Sequence, residues 1–383
     1  MLTNSIKFKS FYKKKNYLKI KKNLKSLLSN KNEIIKSLGK DYNDKYNIKK
    51  LKKIVSNKEI RLIGMGGSSL GAQAIYYFLN DKIKKKFFFL DNLSYQKNLS
   101  KKKNVNIIIS KSGNTLETIS NTNIFLKSKD ENIFITENKP SYLFNLALNL
   151  KAEIIYHNNF IGGRYSVLSE VGMLPAELMG LNPKKFRQLN NLIKNRKFLN
   201  LLIQNTGSIL GLIQKKKFNS IILNYDEKAE GFFKWYQQLV AESLGKKSKG
   251  ILPIISTMPK DNHSLMQLYL DGFKNNFFTF FYSKEKSSEK LDVTKLLNSH
   301  KYLGGCNLNS IVFKQKIATE NIFKKKKIPY RSFELSLRNE KNIGELFCFF
   351  ILETILLGRA LNINPYDQPS VELIKKETRK QFS

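Results

Sequence analysis

Two stretches of the chain combine glycine with hydroxyl side chains in a way that could hold an anion. GMGGSSLG spans residues 64–71 and SKSGNTLET spans residues 110–118. Glycine lets the backbone approach a ligand closely, and the first turn of a helix offers N–H groups that have no intrahelical partner. Ser68 on the first stretch, with Ser110, Lys111, Ser112 and Thr115 on the second, would add hydroxyl and ammonium donors. Either stretch alone reads equally well as a hydroxyl-capped helix start. The pair in one domain, with a lysine between the hydroxyls, favours a phosphate site.

Such loops need strands before them and helices behind. Each follows a short apolar run, and further runs recur as KKFFFLDN, ENIFITEN and KAEIIYHN, separated by helix-length segments. That alternation predicts βαβ units and a parallel sheet, in which loops at the carboxyl ends of neighbouring strands converge on one crevice. A helical passage over about 172–215 precedes a second series, with strands expected in FNSIILNYDE, GILPIIST and NNFFTFFYSKE and helices between them. The expected class is therefore α/β, with two mostly parallel sheets flanked by helices in three-layer αβα form. The predicted divisions are an N-terminal helical segment (1–50), a first domain with the phosphate loops (51–180), a second domain (181–345) and a C-terminal helical segment (346–383).

Composition narrows the classes of function. The 383 residues carry 68 Lys+Arg against 30 Asp+Glu, a formal net charge of +38. Field effects of that size attract polyanions, but the lysines lie in short clusters from end to end, among many Asn and Ile. This reads as compositional drift, with no specific nucleic-acid partner. Two distant cysteines, Cys306 and Cys348, give neither a disulfide framework nor a zinc site, so a reducing cytoplasm is expected. The longest apolar run, LFCFFILETILLGRAL, is interrupted by Glu353 and falls short of the roughly 20 residues of a membrane span. It is expected to be a core helix, with no membrane association.

Further along, IGGRYSVLSEVGMLP, QQLVAESLGK, DNHSLMQLYLDG and NPYDQPSVELIK follow the two loops in order. Together these motifs resemble the signatures of the glucose-6-phosphate isomerase (phosphoglucose isomerase) family over residues 61–375. The resemblance implies two domains of the sugar isomerase (SIS) fold and a homodimer with shared active sites. It also implies interconversion of glucose 6-phosphate and fructose 6-phosphate without metal or organic cofactor. Moving a carbonyl between adjacent carbons needs a base that carries one proton across and a cation beside the enediolate. By resemblance Glu242 is that base and Arg164 that cation, while His263 and Lys375 serve ring opening or a substrate oxygen. Gly67, Gly163, Gln238 and Gln368 join the loop residues Ser68, Ser110, Lys111, Ser112 and Thr115 around the substrate. His157 and His300 have no such neighbours and read as incidental.

Two competing readings carry different expectations. A dual phosphoglucose/phosphomannose isomerase would also turn over mannose 6-phosphate. A sugar-phosphate sensor of the same fold would keep the loops but has no need of a base and a ring opener together. The chain is short for the family, and SKSGNT is closer to generic sugar-phosphate loops of this fold than to the threonine-rich form of many isomerases.

Overall fold

The computed structural model describes residues 1–11, 17–56, 58–93, 104–285 and 287–382. The chain opens with a strand, β1 (Ile6–Lys9), and helices α1 (Leu18–Ser29), α2 (Glu33–Ser37) and α3 (Ile48–Ile54). A first alternating series follows: β2 (Glu59–Gly64), α4 (Leu70–Phe78), β3 (Phe87–Leu90), β4 (Asn104–Ile109), α5 (Leu116–Phe125), β5 (Glu131–Thr136), α6 (Tyr142–Asn149) and β6 (Glu153–Tyr156). Helices α7 (Glu170–Leu178), α8 (Pro183–Phe186), α9 (Leu189–Leu192) and α10 (Arg196–Gln214) lead to the second series. It comprises β7 (Asn219–Asn224), α11 (Glu230–Leu244), β8 (Leu252–Thr257), α12 (Met266–Asp271), β9 (Asn276–Ser283), α13 (Leu308–Lys325) and β10 (Tyr330–Leu335). Helices α14 (Glu340–Ala360) and α15 (Pro369–Lys380) complete the chain.

The first sheet has the order β3-β2-β4-β5-β6 and is parallel throughout. β4 is buried at all six residues, as expected of a strand covered on both faces, with Asn104 and Asn106 buried beside the apolar Val105 and Ile107–Ile109. The second sheet has the order β1-β10-β9-β7-β8, parallel except for β1, which pairs antiparallel with β10. In each sheet the first strand of the series has its successor on one side and the third strand on the other. Strand order therefore reverses between β2 and β4, and again between β7 and β9. An open α/β sheet offers its ligand crevice at the carboxyl ends of such a pair.

Two elements depart from the sequence-based expectation. The first 50 residues are expected to be helical, yet Ile6–Lys9 forms the edge strand of the second sheet, and β10 has no counterpart among the expected strands. IKFK and YRSFEL are short and interleaved with polar residues, so their pairing depends on tertiary partners that a local pattern does not contain. α14 is buried along almost its whole length and packs against α1, α10 and α11. α11 packs in turn on α4, so side chains of both sheets, such as Leu62 and Phe281, share one continuous core.

Candidate active site

The crevice between β2 and β4 is built by close backbone approach. A Cβ on Gly64 would fall 2.9 Å from both the Ile109 carbonyl oxygen and Ser68 Cβ, so the ends of the two strands and the first loop touch. A Cβ on Gly67 would lie 2.1 Å from the Gly163 carbonyl carbon and 2.6 Å from the Arg164 nitrogen. No side chain fits there, and that contact sets the 160s segment against the first loop. In the second loop Ser110, buried at the end of β4, has its Oγ 2.9 Å from Thr115 Oγ1. Ser112 is exposed and its hydroxyl accepts the Asn114 N–H. Ser68 and Thr115 are half-buried, and Gly67 is buried.

Beside these loops stands Arg164, only 2% exposed, with all its donor nitrogens engaged. Nε donates to Ser243 Oγ at 2.8 Å, and Nη1 donates to Glu242 Oε2 at 3.1 Å and to Gln368 Oε1 at 2.8 Å. Nη2 donates to the carbonyl oxygens of Pro365 and Asp367 at 2.8 and 2.9 Å. A buried guanidinium stays charged and holds a fixed fork geometry, so it clamps α11 and the NPYDQP turn to the first loop. The second oxygen of Glu242 accepts Gln238 Nε2 at 2.8 Å, one helical turn earlier on α11. The carboxylate keeps 26% of its side-chain surface exposed, so it is held on both oxygens and still open on one side.

Tyr165 and Ser243 support this arrangement. Tyr165 OH lies 2.8 Å from Ser243 Oγ and donates to the Pro365 oxygen at 2.9 Å, and burial pushes the phenol up to about 12. Sequence reasoning missed both residues. The signal was present in the demand of a buried arginine for five acceptors. Asp367, salt-bridged to Lys246 at 2.6 Å, is held below the usual carboxylate range by that ammonium.

Arg164, Glu242, Gln238 and Gln368 thus come together, with Gly67, Gly163 and the Ser68 and Ser110–Thr115 loops alongside. Three predicted residues do not join them within the chain. Lys111 donates to the Asn159 oxygen at 2.8 Å and stands 3.7 Å from Glu137; burial lowers its pKa, partly offset by that carboxylate. Its ammonium therefore ties the second loop to the 160s segment. Lys375 pairs with Glu372 at 2.7 Å on α15, a helix with no buried residue. His263 is exposed on the turn after β8, where Asp261 accepts from Ser256 Oγ and the Thr257 N–H, both at 2.8 Å.

The separation of His263 from Glu242 follows from topology. Glu242 lies near the end of α11, which returns the chain to the amino edge of the second sheet, whereas His263 follows the carboxyl end of β8. The six residues of β8 put about 20 Å between those edges. Among the described residues no group of three or more His, Cys, Asp or Glu could hold a metal ion, and no helix is long and apolar enough to cross a membrane.

The fold and the crevice define a phosphosugar-isomerase type of α/β protein. The structure matches a hypothetical protein from Thermus thermophilus with a TM-score of 0.84 at 22% identity, covering 96% of this chain and 95% of that one. It matches a glucose-6-phosphate isomerase from Chlamydia trachomatis with a TM-score of 0.71 at 18% identity, over 87% of this chain and 71% of that one. The family model for phosphoglucose isomerase matches residues 25–257. Among named relatives, the glucose-6-phosphate isomerase of Methanocaldococcus jannaschii is 34% identical, covering 86% of each chain. That of Campylobacter jejuni is 32% identical over 83% of this chain and 84% of its own. The chain belongs to the phosphoglucose isomerase family.

Proposed function

We propose that the chain interconverts glucose 6-phosphate and fructose 6-phosphate through an enediolate. The observation that carries this reading is the convergence of a buried arginine, a half-open carboxylate and two glutamines beside the hydroxyl loops at the β2/β4 crevice. The phosphate sits on Ser68, Ser110, Ser112 and Thr115 and on the N–H groups of the two loops, and its binding energy orients the sugar. With the chain in open form, Glu242 removes the proton from C2 and returns it to C1, so one carboxylate serves both half-reactions. Arg164 lies next to Glu242 and offsets the charge that develops on the enediolate oxygens, while Gln238 and Gln368 fix the carboxylate and the substrate hydroxyls.

Ring opening needs a group that moves a proton near neutral pH, and His263 is assigned to it. Because His263 and Glu242 stand at opposite edges of the second sheet, the histidine of one subunit serves the glutamate of its two-fold partner in a homodimer. Lys375, on the exposed α15, approaches a substrate oxygen when that helix docks. The reaction needs no metal or organic cofactor, and a cytoplasmic setting suits the substrates.

A coupled assay for glucose 6-phosphate formed from fructose 6-phosphate tests the reading. Turnover that is lost in Glu242→Gln is the expected result. A folded wild-type chain that binds the sugar phosphate without converting it would instead be a sensor.

A further inference from the structure

A large cavity stands apart from the crevice between β2 and β4. It lies at the carboxyl end of β6, between the α1–α3 segment and the start of α7, with a volume of about 770 Å³. That is within the range of small-molecule sites. Its inner wall holds two deeply buried titratable groups that the isomerisation does not use, His157 (3% exposed) and Glu170 (4% exposed).

Both are set up to accept hydrogen bonds. His157 Nδ1 lies 3.0 Å from the Asn158 carbonyl oxygen, which can only accept, so Nδ1 carries the proton and Nε2 presents a lone pair with no partner among the described residues. Burial lowers the pKa of the imidazole and keeps it neutral, with Glu170 partly opposing. Glu170 takes the Asn158 N–H at 2.7 Å and the Tyr42 hydroxyl at 3.1 Å, and its nearest basic nitrogen is His157 Nδ1 at 3.8 Å. Glu33, on the same wall, accepts Asn158 Nδ2 at 3.0 Å. A ligand that reaches these three groups donates to them, as hydroxyls do. Of the exposed lysines on the lining, Lys36 pairs with Glu33 at 2.8 Å, which leaves the ammoniums of Lys31 and Lys45 to meet an anionic group at the mouth. Tyr156 and Phe160, 48% and 80% exposed, offer ring faces there to the C–H face of a polyol.

We infer that this cavity is a second site, for a phosphorylated polyol with its hydroxyls on His157, Glu170 and Glu33 and its phosphate among the lysines. No residue of the two phosphate loops is on its lining, but Lys111 of the second loop donates to the oxygen of Asn159, which is, and the chain runs from Asn159 and Phe160 on to Gly163 and Arg164. An occupant therefore bears on the segment that carries the buried arginine.

Calorimetric titration of the full chain with sorbitol 6-phosphate tests the inference. The expected stoichiometry is two molecules per chain, with one of the two sites weakened about 10- to 100-fold in the Ser110→Ala/Thr115→Ala variant and the other unchanged. The unchanged site should be lost when His157→Phe is added. Lys31→Ala/Lys45→Ala, in which both changes are exposed and the fold is spared, should weaken that site about tenfold. One molecule per chain in the wild type, no binding in the loop variant, or unchanged binding in both cavity variants would overturn it. The readout is binding, so a chain inactive on fructose 6-phosphate could still show two sites, and failure of one reading is distinct from failure of the other.

Discussion

The two sheets share one strand order around their first strand, yet the crevices that this order creates are filled differently. Between β2 and β4 the loops are Gly/Ser/Thr, backbones touch, and donors are left for a ligand. The carboxyl edge of β7 and β9 instead carries Asp226, buried, with its oxygens on Arg338 at 2.6 and 3.3 Å. The same arginine reaches Glu285 at 2.5 Å, and Lys228 stands 3.6 Å from that carboxylate. An ion cluster occupies the place where the first sheet leaves room. Topology therefore offers the crevice twice, and loop chemistry decides which one takes an anion. The second half contributes instead through its helix α11, which sets Glu242 and Gln238 beside Arg164.

That contrast can be attacked from both sides. The largest effect is expected at the junction, where Glu242→Gln keeps the shape and loses the base. Turnover should fall by about 10² to 10⁴-fold, with sugar-phosphate binding by calorimetry nearly intact; lost binding with undiminished turnover would remove Glu242 from the chemistry. In the second crevice, Asp226→Ala takes away one of the two carboxylates that hold the half-buried Arg338 and leaves Glu285 as its partner. It should cost about 1–3 kcal/mol in denaturant unfolding, while KM of the remaining folded protein stays unchanged. A KM that rises with little loss of stability would make this edge a ligand site after all.

Ser110→Ala with Thr115→Ala removes hydroxyls that would face the phosphate. KM should rise by about 10- to 100-fold, more than turnover falls, with little change in unfolding. Equal activity on unphosphorylated glucose before and after would mean that the loops hold something else. The smallest effect belongs to Glu372→Ala, since its pair with Lys375 is exposed. Stability should change by under about 1 kcal/mol, and a larger loss by thermal melting would show that α15 is packed more firmly than its surface indicates.

Much of this was legible in the residues. Apolar runs before Gly64 and Ser110 pointed to strands, and hydroxyls beyond them to loops at one edge, because period and turn chemistry are local. β1 and β10 were not legible, since IKFK and YRSFEL become strands only against β9 and each other. The motifs singled out Arg164 and Glu242, but not that Ser243, Tyr165 and two carbonyls of the NPYDQP turn satisfy the guanidinium. Those contacts join residues some 80 and 200 positions apart in the chain. His157 read as incidental because its neighbours in sequence carry no motif; its partner Glu170 and the cavity wall come from other elements.

The proposed active site is shared by two subunits across a two-fold axis, with Glu242 at one edge of the second sheet and the partner subunit's His263 arriving from the other. Glu242→Gln and His263→Ala homodimers should each be nearly inactive. In a hybrid of the two, one site inherits both defects and the other neither. Random reassortment makes about half of the dimers hybrid, each with one intact site of two, so the mixture should recover about a quarter of wild-type activity. Subunits must be exchanged by co-expression, or by mild unfolding and refolding, before fructose 6-phosphate turnover is measured. Recovery near a quarter is the predicted result, and verified hybrids no more active than either parent would contradict the shared site.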